Sequence, residues 1–158
     1  LARVQRATRD NARTPMQWDA TENAGFSTHK PWFAVNPNYR EVNVATQGND
    51  ENSLLNFYRR AIRLRTQSAA VRWGEYHEFL RASGSVYAYS REFAGDGEHE
   101  AETLLVVCCF GKGGQRVGIP GKFRGREREV ILANYPVEDA NADSFVARPY
   151  ETRVYRMR

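Results

Sequence analysis

Near residue 68 the chain changes its period. Beyond it, the runs YHEFL, SVYAYSREF, ETLLVVCCF, QRVGI, REVILAN, SFVARP and ETRVYRM are rich in β-branched and aromatic residues and alternate as strands do. Turn material separates them at Ser83-Gly84, Gly95 to Gly97, Gly111 to Gly114 and Gly121 to Gly125. Six or seven antiparallel strands are therefore expected, in a small two-layer β-sandwich. Leu104 to Phe110, apolar on both faces, is its central strand. The GKGG run at Gly111 to Gly114 lacks the GxxxxGK[ST] spacing of a phosphate loop and leads into a strand-like segment, so it reads as a hairpin turn.

Before residue 68 the pattern is different. Residues 11–47 hold Pro15, Pro31 and Pro37 among many Asn and Thr, so regular structure is not expected there. Trp18, Phe26, Trp32, Phe33 and Tyr39 argue that this long loop packs. A helix should follow from about Glu51 to Gln67, capped by Asn49 or Asp50. Its spacing predicts a buried stripe of Leu54, Leu55, Tyr58, Ile62 and Leu64, with Arg59, Arg60, Arg63 and Arg65 on a solvated face.

Composition narrows the function classes. At 158 residues the chain is too short for a complete eight-stranded α/β barrel of roughly 250 residues. The absence of an initiator Met suggests that Leu1 is not the natural start. The formal charge of +4 comes from arginines scattered from Arg3 to Arg158, so no nucleic-acid partner is expected. The longest apolar run, Thr103 to Phe110, is far below the roughly 20 residues of a membrane helix, and the N-terminal run LARVQRATRD has no apolar signal core. Cys108 and Cys109 are adjacent in a strand and point to opposite faces, which suits two free thiols in a reducing, cytoplasmic setting. His29, His77 and His99 have no metal-ligand spacing, and no GxSxG elbow is present, so neither a metal, a cofactor nor a self-contained catalytic centre is expected.

The chemistry that remains lies in RDNARTPMQWD, Arg9 to Asp19. Arg9, Arg13, Asp10, Asp19, Gln17 and Trp18 are the groups that bind sugar hydroxyls and stack on sugar faces. The same arginines could instead pair with Asp10 or Asp19 merely to fold the loop.

These residues, with Asn23-Ala24-Gly25-Phe26, Pro31-Trp32 and Val35-Asn36-Pro37-Asn38-Tyr39, resemble the late catalytic-domain loop of glycoside hydrolase family 13 α-glucosidases, in the oligo-1,6-glucosidase, dextran glucosidase and sucrose isomerase group. The resemblance runs through LLNFYRRAIRLR, which looks like the last barrel helix, to RPYETRVYRMR, which looks like the final strand of the C-terminal β-domain. Cys108-Cys109-Phe110 stands where the family commonly has Ala-Asn-Phe.

The resemblance implies an α+β fragment. Residues 1–68 would be the substrate loop and final helix of a (β/α)8 barrel, and residues 69–158 an antiparallel β-sandwich. It also implies the C-terminal part of a retaining enzyme that hydrolyses α-1,6 or α-1,4 glucosidic bonds of oligosaccharides. The catalytic carboxylates would lie upstream, and the chain alone would be inactive. By the same resemblance Arg13, with Arg9 second, binds the non-reducing glucosyl unit, while Asp10, Gln17 and Trp18 shape the loop around it. A non-catalytic carbohydrate-binding β-sandwich, or the C-terminal part of a glucosyl mutase such as trehalose synthase or sucrose isomerase, are the alternatives.

Overall fold

A computed structural model describes residues 9–158; the expectations for the N-terminal run 1–8 lie outside the described residues. The chain divides into two compact units, residues 1–59 and 60–158.

In the first unit the loop contains more regular structure than the sequence suggests. Short 3-10 turns span Arg9–Ala12, Glu22–Gly25 and Pro37–Arg40, and helix α1 spans Val44–Asn49. Each is a single turn or little more, too short for a hydrophobic period to announce it. Pro37 is pre-set for the first helical position. Asn43, buried, caps α1 by accepting a hydrogen bond from the Thr46 amide at 2.8 Å. The first amides of that cap region find partners in the loop, because Val44 N donates to Gln17 O at 3.0 Å and Ala45 N to Trp18 O at 2.9 Å. Asn23, Ala24 and Gly25 follow one another at positive φ, and a Cβ on Gly25 would lie 2.6 Å from a carboxylate oxygen of Asp19. Only glycine fits that position.

Helix α2 runs Leu54–Gln67, three residues shorter at its start than expected. Ser53, rather than Asn49 or Asp50, caps it: Ser53 Oγ accepts from the Asn56 amide at 3.1 Å, and Gln47 Oε1 accepts from the Leu55 amide at 3.0 Å. Asp50 Oδ1 instead accepts from Asn52 N, and so closes a turn. The stripe expected to be buried is largely not: Leu54, Tyr58 and Ile62 are 67%, 61% and 59% exposed, and Leu55 and Leu64 are half-buried. The apolar spacing is real, but among the described residues that face is left largely uncovered.

In the second unit the short helix α3, Ala69–Trp73, is capped by Ser68, whose Oγ accepts from Val71 N at 3.1 Å. Seven strands follow: β1 Glu75–Phe79, β2 Val86–Phe93, β3 Glu102–Cys109, β4 Gln115–Gly118, β5 Arg128–Ala133, β6 Ser144–Ala147 and β7 Thr152–Met157. Five form an antiparallel sheet in the order β1-β2-β3-β7-β5, and β4 pairs with β6 in a second sheet. The central place of β3 follows from its two apolar faces. With β2 on one side and β7 on the other, β3 has no free edge for the strand that follows it, so the glycine run at 111–114 is not a hairpin turn. It carries the chain from one sheet to the other.

Registers Ala88↔Val107 and Leu105↔Tyr155 line up one face of the sheet. That face meets Val117, Ile119, Phe123 and Ala147 in one buried cluster. Cys109 joins this core while Cys108 faces the other way, and both thiols are free.

Glu102 and Arg91 fasten α3 to the sheet. Glu102 accepts from Ser68 Oγ at 2.6 Å, Ala70 N at 3.1 Å and Arg156 Nε at 3.1 Å, and Arg91 donates to the Ala70 and Val71 carbonyls, each at 3.1 Å. Burial pushes the Glu102 carboxyl up, but the bonds from Ser68, Ala70 and Arg156 outweigh it and hold the group below the usual Glu value. A depressed folded value means the stabilisation is present above the unfolded value of about 4.3 and is lost as pH falls through the folded one. Acid titration should therefore loosen α3 from the sheet below about pH 4. In Glu102→Gln that step should vanish while stability at pH 7 drops, as measured by the pH dependence of urea unfolding.

Candidate functional site

The loop of the first unit holds every residue singled out for sugar binding. Arg9 and Asp10 lie in the first 3-10 turn, both exposed, and the turn is closed by Arg13 N donating to Asp10 O at 3.0 Å. Pro15 is buried, and the run that follows is irregular. The backbone of Gln17 and Trp18 is held by α1, and Gln17 Nε2 donates to Asn38 Oδ1 at 3.2 Å and to the Val42 carbonyl. Trp18 is half exposed.

The Arg13 guanidinium makes two contacts, one ionic and one with a ring. Its guanidinium lies 3.9 Å from Asp10, with both side chains more than half exposed, a distance and exposure at which an ion pair contributes little. Its carbon Cζ sits 5.0 Å from the centre of the Phe33 ring, and the Phe33 ring in turn stacks on Trp32 at 5.5 Å with the planes 18° apart. The sequence named Phe33 and Trp32 only as packing aromatics; a contact spanning twenty positions leaves no periodic signal.

Among the described residues Asp19 pairs with no arginine. Thr21 donates to it from both its amide, at 2.8 Å, and its hydroxyl, and these two bonds hold the Asp19 carboxyl below the ordinary Asp value. A carboxyl so stabilised as its anion suits a turn former and not a proton donor.

Two concavities among the described residues are open to the same chemical reading. Cleavage of a glycoside with retention needs two carboxyl groups about 5 to 5.5 Å apart. A shallow cup of about 540 Å3 between Thr21 and Thr28 offers one carboxylate, Glu22. A groove of about 430 Å3 on the outer face of the five-stranded sheet is lined by Tyr76, Tyr87, Tyr89, Leu104 and Val106 among others, and by no carboxylate. There Tyr76 and Tyr87 share a hydroxyl hydrogen bond of 2.7 Å, and the bond to Tyr87 pushes the Tyr76 phenol up to about 12.

Among known proteins, residues 1–74 match the sequence profile described as the α-amylase catalytic domain. The oligo-1,6-glucosidase of Halalkalibacterium halodurans is 40% identical over 156 residues, covering 98% of this chain. The chain belongs to the α-amylase family, glycoside hydrolase family 13.

Solved members of the family share its structure. The trehalose-6-phosphate hydrolase of Bacillus licheniformis superposes with a TM-score of 0.80 at 31% identity over 95% of this chain. The isomaltulose synthase of Klebsiella sp. LX3 does so with 0.78 at 35% identity over 96%. The chain spans about a quarter of the length of these relatives: 27% of the glucosidase and 26% of each of the two solved chains. The family match thus covers both the loop and the seven strands. No helix among the described residues is long and apolar enough to cross a membrane.

Proposed function

We propose that this chain is the C-terminal portion of a retaining α-glucosidase that hydrolyses α-1,6 or α-1,4 bonds of oligosaccharides. Residues 1–68 supply one wall of its glucose pocket and the last helix of the barrel, and residues 69–158 form a β-sandwich. Arg13, with Arg9 second, holds the terminal glucosyl unit through the planar fork of the guanidinium. Asp10, Gln17 and Trp18 keep the loop in shape, and the acid pair that cuts the bond is contributed by polypeptide outside this sequence. Two free thiols suit a cytoplasmic home.

The observation that carries this proposal is the bare stripe Leu54, Tyr58 and Ile62 on α2, at helical spacing in a segment that matches the family's catalytic domain. Three large apolar side chains aligned on one helix face and left in water are what remains when a barrel helix is seen without its barrel. A freestanding carbohydrate-binding sandwich would have no use for that stripe. A mutase would share it; the choice between hydrolysis and isomerisation rests with residues beyond this chain.

The test is a chimera. The matching quarter of the Halalkalibacterium oligo-1,6-glucosidase is replaced by this sequence, and turnover of p-nitrophenyl α-glucoside is measured beside that of the isolated chain. The isolated chain should show none, and the chimera should retain activity. Turnover by the isolated chain, or a folded but inert chimera, would count against the proposal.

A further inference from the structure

The geometry points to Trp32 as a stacking platform for a second pyranose ring of the substrate, adjoining the glucosyl unit held by Arg13. Trp32 is 91% exposed, far above the 50% of Trp18 and the 47% of Trp73. What sets this indole apart is that it is also packed against its neighbours. Pro31 precedes it, and the Phe33 ring lies nearly parallel beneath it at 5.5 Å. Phe33 is itself half-buried and carries the Arg13 guanidinium at 5.0 Å. Cation, phenyl and indole thus form one connected stack, whose members fix one another's orientation before any ligand arrives.

A pyranose has an apolar face of C–H groups and a rim of hydroxyls. The electron-rich face of an indole suits the first, and the exposed fork of Arg13, one ring contact away, suits the second. Because the stack is pre-ordered, docking a sugar on Trp32 loses little side-chain freedom, which favours a weak but selective contact. Trp32 can serve this way only if the loop lines a glucoside pocket as proposed. It would then set the preference for oligosaccharides over substrates with no second ring.

The full chain labelled with 15N gives three indole N–H signals, from Trp18, Trp32 and Trp73, and a side-chain Nε–H signal from Arg13. On titration with isomaltotriose, the Trp32 indole and the Arg13 signal should move together and saturate, while Trp73, at the end of α3, stays put. Sorbitol, which has hydroxyls but no ring face, should move neither. Trp32→Ala should weaken the binding read at Arg13 by roughly tenfold, on the scale of one ring stacked on one aromatic side chain, and Trp32→Phe should restore most of it. Movement of Arg13 with Trp32 unmoved would overturn the platform and leave the sugar-binding loop standing. Stillness of both signals would overturn the two together.

Discussion

In the chimera described above, Arg13→Lys should lower kcat/KM on the order of a hundredfold, the size of losing one well-placed donor at a reacting centre. The charge is kept and the fork is lost, so the defect measures geometry rather than net attraction. Stability should barely change. Arg13 is more than half exposed, and its ion pair with Asp10 is long. Kinetics with p-nitrophenyl α-glucoside, taken beside a thermal melt of the same protein, separate the two effects. An unchanged kcat/KM would make Arg13 a loop-folding residue, held by Asp10 and Phe33 for its own sake. Arg9→Lys, one turn earlier and without the aromatic contact, should have the smaller effect.

The largest expected loss of stability comes from Arg128→Met. The Arg128 side chain is fully buried, and it donates to the carbonyls of Phe123 at 2.7 Å, Ala140 at 3.0 Å and Ala142 at 3.1 Å. Asp143, 3.6 Å away, is half exposed and adds little. Methionine fills much of the same volume but leaves three carbonyls, one buried and two part-buried, without that donor. The cost should be about 3–5 kcal/mol, read as a fall in the urea midpoint of the β2, β3 and β7 amide signals. Arg128→Lys should be nearly as damaging, because a single ammonium cannot span three carbonyls. A loss below about 1 kcal/mol would mean that water replaces the guanidinium and that the knot is not structural.

The same contrast runs through the whole chain. The seven strands were legible because a period of two is written locally, and β3 declared its central place by being apolar on both sides. The partner of each strand was not legible. The glycine run after β3 looks like a hairpin until one sees that both edges of β3 are already taken by β2 and β7. Helix α2 was legible by its spacing, yet its cap was misplaced, because Asp50 accepts from Asn52 N while Ser53 and Gln47 take the first helical amides of Asn56 and Leu55, and only the folded backbone decides which acceptor reaches which amide. The buried stripe was read correctly as apolar and wrongly as covered. A period says that a face needs a partner, not that this chain contains it. At the candidate site, RTPMQW offered its candidate residues through residue type alone. The seating of Arg13 on Phe33 and Trp32 joins positions twenty apart and leaves no mark in any window of sequence.

Local pattern by itself therefore determined the seven strands, helix α2 and the family likeness, and it singled out Arg13 and Arg9 as candidates, since each depends on neighbours within a few residues. Tertiary structure alone decided which strands pair, that Asp19 serves Thr21 and not an arginine, that Arg128 ties three carbonyls, and that Leu54, Tyr58 and Ile62 stand uncovered. Those outcomes turn on which distant groups win a shared donor or a shared surface, a competition settled only when the chain has closed on itself.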